Sequence, residues 1–292
     1  MFFNRVKTFI LLATMSMFLL LVGRFFGGNQ GLQIALIIAL VINVGAYFYS
    51  DKIVLKMYGA KPLNRSRYGY VYDMVEELTS VMKIPMPKLW IVHSSMANAF
   101  ATGRNPSHAS VAVTDGILDL LDKNEIRGVL AHELSHIKNR DILIATIAAT
   151  IATTISYMAS MLRFTAIWGA MGGGNRRRGG NPFVMIFVAI LMPIAAALIQ
   201  MAISRSREYM ADEAGAYYSN DPLSLASALE KLHFASQHKY SRVNSAGKES
   251  TASLFIVHPF SGDGMLSLFS THPPIGKRIE RLRRIYEKMF QI

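Results

Sequence analysis

Four long apolar stretches limit the fold of this 292-residue chain more than any other feature of its sequence. They cover about residues 6–22, 32–49, 142–168 and 183–203. A helix of about 20 apolar residues is long enough to cross the hydrocarbon core of a bilayer. The sequence therefore predicts an α-helical membrane protein with two N-terminal spans and a later hairpin of two further spans.

The charge of the chain permits two interpretations. Its formal net charge of +12 suits either a nucleic-acid-binding protein or a membrane protein whose basic residues lie on the cytoplasmic side. Apolar residues make up 51% of the chain and charged residues only 17%, a balance that is too apolar for an ordinary soluble domain. We therefore expect the lipid bilayer to be a partner and nucleic acid not to be one.

The order of polar and apolar segments predicts four parts. Residues 1–50 form two N-terminal transmembrane helices, 51–140 and 204–292 form the two parts of one cytoplasmic domain, and 141–203 form a transmembrane hairpin. The first apolar run lacks a small-residue cleavage pattern, so it is expected to be an uncleaved anchor. Lysines and arginines follow the second run at once, which places that side and both termini in the cytoplasm of a bacterial inner-membrane protein.

One observation disagrees with a full crossing of the hairpin. Arg176, Arg177 and Arg178 lie in the loop between its two apolar runs, which would be periplasmic. Positive residues are normally depleted there, so a hairpin that does not fully cross remains the alternative.

The polar segments carry both helix and strand patterns. Residues 68–82 have apolar side chains at helical spacing, and 88–93 and 109–114 are typical of strands. Residues 123–140 are expected to be helical, because Asp122 and Glu125 have the spacing of a capping box. These patterns predict an α+β domain that is mostly helical with a small sheet.

A metal-binding motif lies on the last of these helices. His132 and His136 are four residues apart and therefore share one helix face, and Glu133 follows the first histidine. This is the pattern in which two imidazoles bind one zinc ion and a glutamate acts as general base. The chain has no cysteine, so any further ligand must be His, Asp or Glu.

The third ligand is expected just after the hairpin. Glu208 and Asp212 share a helix face there; Glu208 would complete the site for one Zn²⁺ per chain. Asp212 would accept a hydrogen bond from a zinc-bound histidine and fix its tautomer. Such a site supports peptide-bond hydrolysis, with Glu133 as the catalytic base.

Three motifs together resemble one known family. The sequence HELSH at 132–136 precedes an apolar hairpin, SRSREYMAD follows it at 204–212, and THPPIGKRI lies at 271–279. This combination resembles the HtpX-type heat-shock proteases of bacterial inner membranes, relatives of the prenyl-protein endoproteases. The resemblance covers nearly the whole chain.

The resemblance implies a gluzincin-like zinc metalloprotease domain that faces the cytoplasm and cleaves misfolded or damaged membrane proteins in a stress response. It also implies that Asn98, Ala99 and Phe100 belong to an edge strand that binds peptide substrates, which accords with strand addition. Within the C-terminal motif we interpret His272 as a catalytic residue that helps to bind the oxyanion or the substrate. Arg278 is interpreted as the partner of Asp212.

Other functional classes fit the sequence less well than an endopeptidase does. A non-catalytic zinc-dependent scaffold or signal sensor would keep the ligands but would not need Glu133. A transporter would have ionisable residues within its spans, and these spans have almost none away from their ends. A serine hydrolase would have a Gly-x-Ser-x-Gly motif, which the sequence lacks.

Overall fold

The computed structural model of the chain describes residues 2–147, 205–240 and 273–291. Most of the predicted hairpin 141–203 and the predicted catalytic residue His272 lie outside the described residues. The described part is mostly helical and contains a small mixed sheet.

The N-terminal apolar runs form α1 (Phe2–Met57), which is broken at Gly28. Gly28 has φ 57° and ψ −138°, a combination that glycine adopts without a steric penalty. The two arms pack against each other, because Asn43 Nδ2 donates to Ser16 Oγ over 2.7 Å. A Cβ atom at Gly23 would lie only 2.4 Å from the carbonyl oxygen of Gly31, so the arms touch through their backbones near the turn.

The arms of α1 differ in apolar length. Residues 27–49 are long and apolar enough to cross a membrane, whereas the first arm has a shorter apolar segment at 12–21. Large apolar side chains are exposed on both arms, among them Phe9, Leu21, Ile37 and Leu40. An exposed apolar surface of this kind is typical of a membrane-embedded helix. That both arms cross the bilayer stays a prediction.

The sheet has four strands in the order β1-β2-β4-β3. They are β1 (Lys61–Pro62), β2 (Lys88–Val92), β3 (Ala99–Gly103) and β4 (Ala109–Thr114). β2 and β4 run parallel, while β1 and β3 pair antiparallel with β2 and β4 respectively. Among the described residues β3 pairs with β4 alone, which leaves one edge of β3 without a partner strand.

Beyond α1, the described residues form the helices α2 (Gly69–Met82), α3 (Asp115–Leu120), α4 (Lys123–Lys138), α5 (Arg205–Ser219), α6 (Pro222–Tyr240) and α7 (Ile275–Phe290). Residues 142–147 are also helical. The predicted capping box is confirmed, since Asp122 accepts from the N–H of Glu125 and Glu125 from that of Asp122. The expected end at residue 140 was two residues too late, because Arg140 has a φ of 58° that terminates the helix.

Helix α4 lies at the centre of the fold and contacts α2, α5, α6 and β3. Its buried side chains Val129, Leu130 and Leu134 belong to one hydrophobic core with the sheet and with Leu282 of α7. Gly128 of α4 lets α6 approach, since a Cβ atom there would lie 3.1 Å from Cβ of Leu225. A Cβ atom at Gly215 of α5 would lie 3.1 Å from the backbone nitrogen of His132, so α5 approaches α4 directly at the metal-binding motif.

Candidate active site

His132 and His136 occupy successive turns of α4 and turn toward each other. Their Nε2 atoms are 3.2 Å apart, and the ring planes stand at 88°. His132 is 1% exposed, whereas His136 lies nearer the surface. The rigid, capped helix thus presents two ring nitrogens to one point in space.

Glu208 reaches the same point from α5. Its Oε2 lies 3.8 Å from Nε2 of His132, and its Oε1 lies 3.6 Å from Nε2 of His136. Two bonds of about 2.0–2.1 Å to a tetrahedral zinc ion separate their ligand atoms by roughly 3.3 Å. The three side chains therefore have the spacing and the donor types of a catalytic zinc site, and they could hold one metal ion.

The charge around this point also favours a divalent cation. Four carboxylates and two guanidinium groups are buried there, so with all four carboxyl groups ionised and both imidazoles neutral, as in a metal-bound site, there is a surplus of two negative charges. They belong to Glu133, Asp141, Glu208 and Asp212 and to Arg207 and Arg278. Burial lowers the pKa of His136, but Asp141 and Glu208 outweigh it and raise this pKa to about 10. The negative field that holds a proton on the ring would equally stabilise Zn²⁺.

Each histidine has a carboxylate at its second ring nitrogen. Nδ1 of His132 lies 3.0 Å from Oδ1 of Asp212, and Nδ1 of His136 lies 3.2 Å from Oδ2 of Asp141. Such partners orient a metal-binding imidazole and fix its tautomer. Sequence reasoning missed Asp141, although a carboxylate just beyond the motif helix and next to an apolar run was a usable signal.

Arg278 of α7 holds Asp212 in place. Its Nε and Nη2 donate to the two carboxylate oxygens of Asp212 over 2.8 and 2.6 Å, and the arginine is completely buried. Burial raises the pKa of Asp212, but Arg278 and His132 outweigh this effect and lower it to about 2. Asp212 is therefore ionised at neutral pH. Arg278 also lies 3.8 Å from Oε2 of Glu208, so one guanidinium serves both carboxylates.

Glu133 lies between the histidines and the edge strand. It is 5% exposed, and its Oε2 accepts a hydrogen bond of 2.9 Å from the N–H of Ala101 in β3. Burial raises the pKa of Glu133, while His132 and His136 oppose this shift. A carboxyl group whose pKa is raised from its ordinary value toward neutrality is suited to general-base work.

The residues expected to bind substrate lie at the sheet edge nearest Glu133. Ala99 and Phe100 begin β3, and Asn98 precedes it, with its carbonyl bonded to the N–H of Thr114. The Phe100 ring is buried against Tyr58 at the end of α1, with ring centroids 5.0 Å apart. Phe100 therefore anchors the edge strand to the end of α1.

The position of Asp141 gives a first prediction. The Asp141→Asn variant keeps the size of the side chain but loses the charge that holds the His136 ring. We expect zinc affinity, measured by competition with a chelator, to fall about 10–100-fold. Asp73→Asn, an exposed change on α2, should leave affinity unchanged. Equal zinc affinity in wild type and Asp141→Asn would show that Asp141 does not support the ligand.

Comparison with known sequences decides the family. The profile described as peptidase family M48 matches residues 65–286, three quarters of the chain. The chain belongs to peptidase family M48. A protease HtpX homolog of Syntrophobacter fumaroxidans is 50% identical over 285 residues, covering 96% of this chain and 99% of the relative. Another from Desulforapulum autotrophicum is 51% identical, covering 96% and 89%.

A solved structure shares the fold of this M48 peptidase. The crystal structure of Ste24p from S. mikatae matches with a TM-score of 0.51 and 17% identity, covering 96% of this chain and 66% of that chain. The predicted resemblance to HtpX-type proteases and to the prenyl-protein endoprotease fold is confirmed. The protein is a membrane zinc metalloprotease, and its His132, His136 and Glu208 group could bind the metal.

Proposed function

We propose that this metalloprotease is an endopeptidase that cleaves misfolded or damaged membrane proteins and acts in membrane quality control under stress. The observation that carries the proposal is the position of the buried Glu133, beside the paired histidines and hydrogen-bonded to the edge strand. A base, a metal site and a surface for extended peptide thus lie together. The non-catalytic scaffold, the alternative from the sequence, needs no such base and disagrees with membership of a peptidase family.

Each side chain has a defined part in the proposed reaction. Zinc, when held by His132, His136 and Glu208, supplies a Lewis acid that polarises the scissile carbonyl and makes water more acidic. Glu133 takes the proton of the attacking water and delivers it to the leaving amine nitrogen. Asp212 and Asp141 keep the imidazoles in one orientation. His272 would bind the oxyanion or the substrate.

The edge of β3 supports the choice of an extended peptide as substrate. The N–H of Ala101 is directed away from β4, since it reaches Glu133 on the other side of the strand. A substrate that lies along this edge would bring its main chain within reach of the base. Because Phe100 packs on Tyr58 at the end of α1, the edge lies close to the membrane helices, which favours membrane-protein substrates.

The proposed topology follows the domains expected from the sequence. Residues 1–50 and 141–203 lie in the bacterial inner membrane, and 51–140 and 204–292 form one cytoplasmic catalytic domain. The contacts between α4 and α5 support this arrangement, because these helices precede and follow the hairpin and pack on each other. A chain that enters and leaves the hairpin at one point must return to the side from which it started.

The role of Glu208 can be tested by metal analysis. We expect Glu208→Ala to reduce bound zinc well below one ion per chain, because two histidines alone make a weak site. Glu213→Ala changes an exposed glutamate on the same helix and should retain zinc. Cleavage of a model membrane protein by wild type, with and without chelator, completes the experiment. Full zinc content in Glu208→Ala would exclude this ligand, and chelator-resistant cleavage would contradict the proposed mechanism.

A further inference from the structure

A basic cleft of about 440 Å³ opens near the end of α4, apart from the zinc ligands. Its volume falls in the range of roughly 300–1,000 Å³ that is usual for small-molecule sites. The nine residues that line it include three cations and no acid: Met82, Lys83, Ile84, Pro85, Asn105, Pro106, Ser107, Lys138 and Arg140. Its composition therefore suits an anionic ligand.

Two of the cations stand where glycine would be the favoured residue. Lys83 follows α2 with φ 55°, and Arg140 follows α4 with φ 58°. This left-handed conformation costs free energy for a residue with a Cβ atom, and helices commonly end with glycine there. Both helices nevertheless direct a long basic side chain to the same cleft.

Helix dipoles do not account for the excess of charge. Each helix C-terminus carries about half a negative charge, so two helix ends offset only one of the three cations. Asp141, the acid next to Arg140, is turned toward the His136 ring. Lys138 lies over the ring of Tyr218, 4.4 Å from its centroid, and donates to its hydroxyl, which holds the ammonium group in place. The cleft remains net positive.

The cleft lies beside the segments that meet the membrane. Arg140 directly precedes Asp141 and the third apolar run, which starts at residue 142. On the other wall, Asn105 follows Arg104, whose guanidinium carbon is 5.4 Å from the ring centroid of Phe48 in the apolar stretch 27–49. One wall, at Arg140, is thus two residues before the third apolar run in the sequence. The other wall, at Asn105, is next to Arg104, which contacts the apolar stretch 27–49 in space.

We propose that this cleft binds the headgroup phosphate of an anionic phospholipid from the leaflet that faces the catalytic domain. The proposal rests on the topology given above, in which 142 marks entry into the bilayer. Basic pockets next to membrane helices on the cytoplasmic side are suited to such headgroups. Bound lipid would connect the ends of α2 and α4, and so fix the helix that carries both histidines relative to the membrane.

The test uses the full-length protein in neutral detergent, titrated with phosphatidylglycerol, with phosphatidylcholine or with inorganic phosphate. Thermal unfolding reports binding. In wild type, we expect phosphatidylglycerol to raise Tm more than phosphatidylcholine or inorganic phosphate does. Lys83→Gln/Arg140→Gln should weaken the apparent affinity for phosphatidylglycerol about 30-fold, since each cation near an anionic lipid contributes roughly fivefold.

The matched control is Lys123→Gln/Lys277→Gln, which removes the same charge from exposed positions. Lys123 lies at the other end of α4, about 22 Å from Lys138 at 1.5 Å per residue. This control should respond to phosphatidylglycerol as wild type does. The proposal is overturned if both lipids stabilise wild type equally, if the control loses as much affinity as the cleft variant, or if inorganic phosphate alone gives the full shift. Zinc content is measured in parallel. A normal zinc content without a lipid response contradicts the lipid site alone, whereas a loss of zinc concerns the metal site.

Discussion

Replacing Glu133 by Gln is expected to slow peptide-bond cleavage by about 10²–10⁴-fold while zinc stays bound. Glutamine has the same shape, and its amide oxygen can still accept the hydrogen bond from Ala101 that Glu133 accepts now. It cannot take a proton from water at neutral pH. The variant therefore removes proton transfer and keeps the packing between α4 and β3.

The measurement is kcat on a model membrane substrate, together with zinc stoichiometry on the same preparation. Glu230→Gln is the matched control, since Glu230 is exposed on α6 and the same change there should not affect the rate. If the variant keeps its zinc but loses turnover, Glu133 acts as a base and not as a metal ligand. Wild-type kcat in Glu133→Gln would show that another group accepts the proton.

Replacing Arg278 by Met is expected to lower the free energy of unfolding by about 3–5 kcal/mol, because it removes the cation that pairs with the buried Asp212 carboxylate. Arg278 is fully buried and makes two hydrogen bonds to Asp212. Methionine is shorter, but it is unbranched and has nearly the volume of arginine, so it fills most of the space. The lost stability is therefore caused mainly by the buried carboxylate that no longer has its cation, and less by a cavity.

Thermal unfolding of the zinc-loaded protein measures this effect, with Arg283→Met, an exposed change on the same helix, as the control. In Asp212→Asn/Arg278→Met neither charge remains, so part of the stability should return. A destabilisation that is the same in the single and double variants would mean that the size of the arginine matters and its charge does not. We also expect Arg278→Met to bind zinc less tightly, since Asp212 no longer holds the His132 ring firmly.

Local patterns in the sequence predicted the parts of the site that lie within one helix. The capping box at Asp122 and the pair His132 and His136 depend on spacings of three and four residues, which the helix itself fixes. The position of Glu208 was predicted from its place after the apolar hairpin and from the spacing to Asp212. In these cases one short segment contains all the information.

Features that depend on packing between segments were harder to predict. Asp141 meets His136 only because the chain turns at Arg140. No sequence motif predicts the left-handed φ of that residue. Strand β1 is two residues long and is defined by its partner β2, so it has no periodicity of its own. The sequence predicted two N-terminal helices but not the residue at which the chain reverses between them, since the contact between Gly23 and Gly31 arises when the arms pack.

The residues of the candidate metal site are far apart in the order of synthesis. His136 precedes Glu208 by 72 residues, and Arg278, which holds Asp212, comes later still. At a translation rate of about 5–20 residues per second, roughly 4–14 s separate the second ligand from the third. With His132, His136 and Glu208 as the ligands proposed above, a nascent chain that ends before residue 208 would offer only two of the three groups that could hold the metal. We therefore expect proteolytic activity only from chains that have been synthesised beyond residue 208.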